Sequence, residues 1–244
     1  MTDGGAAVRI EELWASYRKG LRRQSVLRGV GLEALPGAVT AIIGRNGVGK
    51  TTLFRSLIGL QRPDRGTITI AGLPVRAYRE RHGIGCVPES ISLPASWTVG
   101  DILGHGVDLT VEPGGRQEAF ARAVERGAFD AQTIARPARR CSKGLKQRLL
   151  LAYALIGEPE VLLLDEPFSA LDPPSRIALR GEITRTVERG VTVLLASHDL
   201  NEVTRLADSV FMMEDGEVRQ RDLPRADPGG ADDDLEADFR EDDR

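Results

Sequence analysis

The sequence predicts an α/β protein with a parallel-sheet core into which a helical part is inserted. Two continuous apolar runs, residues 161–164 and 191–196, are typical of parallel strands that are buried on both faces. A third predicted strand, residues 39–43, runs directly into a glycine-rich loop and then into apolar residues at helical spacing. Between these strands, residues 98–155 show helical periodicity. Strands that alternate with helices in this way favour a parallel sheet covered by helices.

The N-terminal part of the chain is predicted to consist of short strands. Residues 8–13 alternate between apolar and charged side chains, and Gly20 interrupts the pattern. The turn signal Pro36-Gly37 precedes the strand at 39–43. A helix follows the glycine-rich loop and ends at Gly59, and residues 63–66 form a turn into a strand at 67–71.

The middle of the chain is predicted to be an inserted helical subdomain at about residues 90–155. Its apolar residues recur at helical spacing in three groups, which are Val99, Ile102 and Leu103, then Phe120, Ala123 and Val124, then Leu149, Leu150, Ala152 and Leu155. A crossover helix around residues 176–189 joins the two apolar strands. We therefore expect one domain over residues 1–222.

Charge is distributed unevenly along the chain. The net charge is −3, but residues 221–244 hold ten acidic residues and four arginines, so the remainder carries +3. A body so close to neutral does not indicate a dedicated nucleic-acid binder, and we expect no nucleic-acid partner. Residues 223–244 are predicted to be a disordered tail, either a solubility segment or a docking arm for a basic partner.

Membrane-spanning and secreted proteins are excluded by pattern. The longest uncharged, mostly apolar run near the middle of the chain, residues 149–157, is far shorter than the about 20 residues of a spanning helix. The N-terminus lacks the basic cap and apolar stretch of a secretory signal. Cys86 and Cys141 have no metal-like spacing and indicate no disulfide framework. The expected location is a reducing compartment.

A phosphate-binding loop is the strongest motif. Residues 44–51, G-R-N-G-V-G-K-T, match the pattern G-x-x-x-x-G-K-[ST] between a strand and a helix. Glycines let backbone N–H groups converge on phosphate oxygens, Lys50 neutralises the β- and γ-phosphates, and the Thr51 hydroxyl can bind Mg²⁺. The start of a helix adds its positive dipole end.

A pair of carboxylates is expected to face this loop. Asp165 and Glu166 end the apolar strand at 161–164. Asp165 is predicted to face Mg²⁺ at Thr51, and Glu166 to polarise the attacking water as a general base.

With these motifs, residues 8 to 220 resemble the ATP-binding subunit of ABC transporters. Residues 141–148, C-S-K-G-L-K-Q-R, are similar to the family's L-S-G-G-Q signature, residues 169–172 resemble its D-loop, and residues 197–199 resemble its switch-histidine segment. Tyr17 stands where the family stacks an aromatic ring on adenine; the alternative is an ordinary half-buried strand tyrosine. For His198, the alternative is a polar residue at a strand end.

The resemblance implies a P-loop NTPase of the ABC ATPase type, with an N-terminal antiparallel β subdomain and an inserted helical subdomain. It implies ATP and Mg²⁺ as cofactors, with Lys50, Glu166 and His198 as catalytic residues. The residues it assigns to the nucleotide are Tyr17, Gly44, Asn46, Gly47, Gly49, Lys50, Thr51, Thr52, Ser142, Lys143, Gly144 and Asp172.

Two departures from the family pattern concern the metal and the signature. Glu89 stands where most relatives have a glutamine that touches Mg²⁺, so the expected metal ligands are Thr51, Asp165 and Glu89. Cys141, Lys143 and Leu145 replace three signature residues, whereas Ser142 and Gly144 are kept. This combination resembles the exporter branch that includes multidrug and antibiotic-resistance systems, and it predicts an exporter subunit.

The resemblance also implies partners. ATP would lie between the phosphate loop of one subunit and the signature of a second, in a homodimer or a heterodimer. A separate transmembrane permease subunit would carry the substrate, which places this chain in the cytoplasm, at the inner face of the cell membrane. The alternatives are a non-transport ABC ATPase acting on nucleic acid or ribosomes, and a hydrolysis-poor half of an asymmetric pair.

Overall fold

The computed structural model describes residues 7–19 and 22–221 of the chain. The predicted tail at 223–244 and the predicted break at Gly20 lie outside these residues. In chain order the described strands are β1 (Val8–Lys19), β2 (Arg22–Ala34), β3 (Val39–Ile43), β4 (Arg65–Ile70), β5 (Leu73–Pro74), β6 (Gly85–Val87), β7 (Val161–Asp165), β8 (Thr192–Ser197), β9 (Ser209–Glu214) and β10 (Glu217–Arg221). The α-helices are α1 (Lys50–Leu57), α2 (Val75–His82), α3 (Val99–Thr110), α4 (Arg116–Arg126), α5 (Ala131–Ile134), α6 (Lys143–Ala154), α7 (Pro173–Glu188) and α8 (Leu200–Thr204).

The N-terminal strands form an antiparallel sheet in the order β2-β1-β4-β5. β1 extends to Lys19, beyond the predicted strand at 8–13. Its pairing with β2 shifts register between Ile10 and Leu13 and again on either side of Ala15. Bulges of this kind disturb the alternation of side chains, which explains why the sequence pattern stops before the strand does.

The second sheet has the order β10-β9-β3-β8-β7-β6 and is parallel except for β10. All residues of β3, β7 and β8 are buried, as the continuous apolar runs predict. α7 is the crossover between β7 and β8 and begins at Pro173, three residues before the predicted start. β3 and β8 pair from Val39 with Val193 to Ile43 with Ser197, so both strands end at the same edge.

Helices α3 to α6 lie between β6 and β7 in the sequence and share their own apolar core. The predicted helical periodicity is confirmed, because Ile102, Ala123 and Leu149 come from three different helices and are all buried in this core. A capping box fixes the start of α3, in which the Thr98 side chain accepts a bond from the Asp101 backbone N–H and Asp101 accepts one from Thr98. No helix in the described ranges is long and apolar enough to cross a membrane.

Candidate functional site

The predicted site residues converge at one edge of the parallel sheet. β3 ends at Ile43 and leads into the glycine-rich loop, β7 ends at Asp165, and β8 ends at Ser197 just before His198. Asp165 pairs with Ala196, and Ile43 pairs with Ser197. Ligands of open α/β sheets bind at this carboxyl edge.

The loop at residues 44–49 depends on glycine at two positions. A Cβ atom at Gly44 would lie 2.5 Å from the carbonyl oxygen of Met213 in β9, so no larger residue fits there. Gly49 has φ of 124°, a conformation that side chains disfavour, and α1 starts at the next residue. The loop therefore reaches the positive end of a helix along a path that requires glycine.

Lys50 is buried, and its ammonium group is held by oxygen atoms of the site itself. Nζ donates to the carbonyl oxygens of Gly44 and Arg45, the latter at 3.2 Å, and lies 3.1 Å from Oε1 of Glu166. The side chain thus lies between the loop and the second carboxylate. An anion in the loop would compete with Glu166 for the same charge.

Thr51 and Asp165, which the sequence predicts on the two sides of one Mg²⁺ ion, contact each other directly. The Thr51 hydroxyl donates to Oδ2 of Asp165 over 2.9 Å. Burial raises the pKa of Asp165; the Thr51 hydrogen bond and Lys50 oppose this, whereas the charges of Glu166 and Glu89 add to it. Negative charge is therefore concentrated around Asp165.

This concentration of charge is the observation that fits a divalent cation. Within the described ranges, no group of three or more His, Cys, Asp or Glu side chains is arranged as a metal site. Mg²⁺ does not need such a group, because it commonly binds through one or two carboxylates together with substrate phosphates and water. Thr51 and Asp165 supply oxygen ligands of this kind. Glu89 is exposed two residues after the end of β6, and its negative charge contributes to the raised pKa of Asp165.

Glu166 is buried in a strained backbone conformation between two site residues. Its φ is 50°, and its backbone N–H donates to the carbonyl oxygen of Ala196 over 2.9 Å. Nδ1 of His198 lies 2.8 Å from Oε2 of Glu166, and the His198 backbone N–H donates to the same oxygen over 3.3 Å. Glu166 therefore links His198 on one side to Lys50 on the other.

The signature-like segment lies at the start of α6. The Ser142 hydroxyl accepts a hydrogen bond from the Leu145 backbone N–H over 3.2 Å and so caps the helix. Lys143 is exposed. A Cβ atom at Gly144 would lie 2.2 Å from Oγ of Ser175 in α7, so α6 and α7 approach closely at this glycine.

The other predicted nucleotide residues have mixed surroundings. Asn46 and Gly47 are exposed in the loop, whereas Thr52 is buried in α1. Tyr17 is partly buried, and its hydroxyl is buried without a hydrogen-bond partner among the described residues. Asp172 caps α7 by accepting a bond from the Ser175 backbone N–H over 2.9 Å.

Two residues at the site were not found by sequence reasoning. Met213 packs against the phosphate loop from β9, and Arg176 of α7 contacts both the D-loop-like segment and Asp199. Neither belongs to a local motif, because each reaches the site from a distant part of the chain. Their roles depend on the tertiary fold.

Comparison with protein families gives a match to the ABC transporter model over residues 27–169, more than half of the chain. Three curated relatives are an Fe(3+) ions import ATP-binding protein, FbpC 2, of Rhodococcus jostii, an aliphatic sulfonates import ATP-binding protein, SsuB, of Pseudomonas putida, and the Nod factor export ATP-binding protein I of Paraburkholderia xenovorans. The first is 38% identical and the alignment covers 82% of this chain but only 59% of the relative. The second is 39% identical, and its alignment covers 82% of this chain and 73% of the relative. The third is 32% identical, and its alignment covers 91% of this chain and 72% of the relative.

Comparison with solved structures shows the same fold. A dimeric structure of the ATP-binding cassette MJ0796, bound to ADP and Pi in a post-hydrolysis state, superposes with a TM-score of 0.79 at 22% identity and covers 89% of this chain and 99% of that one. The fold is therefore that of an ABC ATPase.

Proposed function

Since the chain belongs to the ABC transporter family of ATP-binding proteins, we propose that it binds and hydrolyses ATP to power a membrane transporter. One observation carries the proposal. The phosphate loop, the Thr51–Asp165 hydrogen bond and the chain of contacts from Lys50 through Glu166 to His198 all meet at one sheet edge. This arrangement provides groups for binding phosphate, metal and attacking water in one place.

Phosphate binding would use the loop N–H groups, the start of α1 and Lys50. In the structure the Lys50 ammonium is satisfied by two carbonyl oxygens and by Glu166. A bound triphosphate would pair with the Lys50 ammonium group in place of Glu166. Binding of phosphate would therefore replace the contact between Lys50 and Glu166 by one between Lys50 and the phosphate.

Thr51 and Asp165 would hold Mg²⁺, with Glu89 as a further oxygen ligand from the end of β6. The bound ion supplies positive charge that neutralises the β- and γ-phosphates. The raised pKa of Asp165 supports this assignment, because the carboxylate lies buried among like charges that a cation would offset.

Glu166 would accept the proton of the attacking water. The main chain of Glu166 is fixed by its hydrogen bond to the Ala196 carbonyl oxygen, and its Oε2 atom is held by the His198 ring. The direction of the carboxylate is therefore fixed. Geometry comes before pKa for a general base, and these contacts fix the direction in which Glu166 would meet the water. His198 would keep Glu166 oriented when Lys50 turns to the phosphates.

Ser142, Lys143 and Gly144 would complete the site of a second subunit. The exposed start of α6 offers a hydroxyl, backbone N–H groups and a lysine charge to a γ-phosphate held by that subunit. Asp172 would lie at the same interface. We propose this pairing with a second copy of the chain, with a related subunit as the alternative.

A separate permease subunit would provide the path through the membrane and would place the chain at its cytoplasmic face. The relatives named above include two import proteins and one export protein, so they do not support the exporter branch expected from the signature. Export stays a prediction. Because the alignment with the FbpC relative spans 59% of that protein, the activity and partners of the whole relative are proposals here.

The direct experiment measures phosphate release from ATP by the purified chain, with Mg²⁺ and with excess chelator. We expect Mg²⁺-dependent release that a Lys50→Ala variant loses. ATP binding without turnover, even in the membrane complex, would favour the hydrolysis-poor alternative. Purification of the tagged chain from membranes, followed by identification of the permease, would test the proposed partner.

A further inference from the structure

A single guanidinium group joins the two segments that flank the Glu166–His198 pair. Nε of Arg176, in α7, donates to the carbonyl oxygen of Leu171 over 3.2 Å. Nη1 of the same side chain donates to Oδ2 of Asp199 over 2.8 Å. Leu171 belongs to the D-loop-like segment, and Asp199 directly follows His198.

The two segments are also anchored to Glu166 at their other ends. The Ser169 backbone N–H donates to the Glu166 carbonyl oxygen over 3.1 Å, and Nδ1 of His198 lies 2.8 Å from Oε2 of Glu166. The Arg176 contacts therefore close a ring that runs from Glu166 through the D-loop-like segment to Asp199 and back through His198. Half of the His198 side chain is exposed, so packing alone does not fix it.

The geometry of these two contacts suits arginine better than lysine. A guanidinium is planar and can donate to a carbonyl oxygen and a carboxylate at once in fixed directions, whereas an ammonium group acts as one mobile point charge. Glu202 is a weaker partner of Arg176, because Nη1 of Arg176 lies 3.4 Å from its Oε1 atom. The other oxygen of Glu202, Oε2, accepts from Arg180 over 2.7 Å. Asp199 and Leu171 are thus the closer partners.

We propose that Arg176 is a positioning residue for ATP hydrolysis, which holds His198 against Glu166 and in register with the D-loop-like segment. The inference rests on the proposed ATPase function. Because Arg176 touches neither the phosphate loop nor the Thr51–Asp165 pair, its loss is expected to slow turnover and to leave nucleotide binding intact. Misplacement of a catalytic group by about 1 Å can cost roughly 10²-fold in rate.

The test compares Arg176→Gln and Arg176→Lys with a matched control, Arg180→Gln. The control removes an ion pair to Glu202 from the same helix, one turn further on. Arg176 also contacts Glu202, but Arg180 takes no part in the Leu171 and Asp199 contacts. For Arg176→Gln we expect kcat to fall by about 10- to 100-fold, with KM for ATP changed by less than about threefold. Arg176→Lys should recover part of the rate, and Arg180→Gln should stay near wild type.

A double-mutant cycle with His198→Ala tests the route of the effect. If Arg176 acts through His198, Arg176→Gln should slow the His198→Ala protein little further, because the effects of residues that act as a unit are not additive. Equal slowing in both backgrounds would overturn the inference, and so would a wild-type kcat in Arg176→Gln or equal losses in Arg176→Gln and Arg180→Gln.

Thermal unfolding of each variant identifies losses of rate that follow from loss of structure. If Arg176→Gln fails to fold, Arg176→Lys carries the same test. A wild-type kcat in Arg176→Lys would overturn the idea that the planar guanidinium group positions His198. A wild-type protein without ATPase activity would instead refute the proposed function.

Discussion

Replacement of Glu166 by glutamine removes one charge from the site and almost no volume. The glutamine oxygen can still accept from His198, so the contact at 2.8 Å to the ring survives. The substitution removes the acceptor of the water proton and the carboxylate that lies 3.1 Å from the Lys50 ammonium. Hydrolysis should therefore fall while ATP binding is kept or strengthened.

The expected loss is that of a general base, roughly 10²- to 10⁴-fold in kcat. It corresponds to about 2.7 to 5.4 kcal/mol in the activation barrier. Phosphate release at saturating ATP measures the rate, and titration with a fluorescent ATP analogue measures the affinity. Glu182→Gln is the matched control, because Glu182 is also a buried carboxylate paired with a cation, Arg185, but lies in α7 away from the sheet edge.

A wild-type rate of ATP hydrolysis in Glu166→Gln would refute the role of Glu166 as the general base. A loss of rate matched by a loss of ATP affinity would refute it equally, because the residue would then serve binding. A similar loss of rate in the Glu182→Gln control would show a general effect of removing a buried carboxylate.

Three further predictions concern the helical part, the metal site and the nucleotide base. Gly106→Ala should destabilise the fold by roughly 1–3 kcal/mol, because the added Cβ atom would lie 2.6 Å from the Tyr153 ring. Gly104→Ala, in the same helix, is the control, because its Cβ atom would have nothing within 4 Å and should stabilise the fold by up to about 1 kcal/mol. Urea unfolding measures both changes. Burial, Glu166 and Glu89 raise the pKa of Asp165 in the folded protein, so its contribution to stability is lost as the pH rises through the folded-state value. Without Mg²⁺ and nucleotide, Asp165→Asn should therefore unfold at a higher temperature than wild type at about pH 8. The difference should narrow as the pH falls toward the ordinary aspartate value of about 4. If Tyr17 stacks on adenine, Tyr17→Ala should weaken ATP binding by about 1–3 kcal/mol, whereas Tyr17→Phe keeps the ring and should not. Equal ATP binding by both variants would favour the alternative that Tyr17 is an ordinary strand tyrosine.

Local patterns were sufficient to predict much of the fold and the centre of the site. β3 coincides with its predicted residues because an apolar run between a turn and a glycine-rich loop defines both ends. Thr51 and Asp165 belong to two motifs at the carboxyl ends of β3 and β7, and these ends lie at the same edge of the sheet with β8 between them. Such contacts are predictable when each partner carries its own sequence signal.

Contacts without a local signal were missed. β1 is longer than predicted because bulges disturb its alternation, and β9 and β10 were not identified although Met213 of β9 packs on the phosphate loop. The pairing of Lys50 with Glu166 joins residues far apart in the chain, and the same holds for Arg176 and Asp199. Only the assembled sheet brings these partners together.

The central claim is that ATP is hydrolysed at a site shared between two subunits. Lys50→Ala lacks the phosphate-binding lysine, and Ser142→Ala lacks the signature hydroxyl, so each homodimer should be inactive. A mixed dimer retains one site with an intact phosphate loop from one chain and an intact signature from the other. The decisive measurement is phosphate release by an equal mixture of the two variants after subunit exchange. The account predicts recovery of up to about a quarter of the wild-type rate, since half of the randomly paired dimers hold one intact site. A rate no higher than that of the separate variants would contradict a site shared between two copies of this chain.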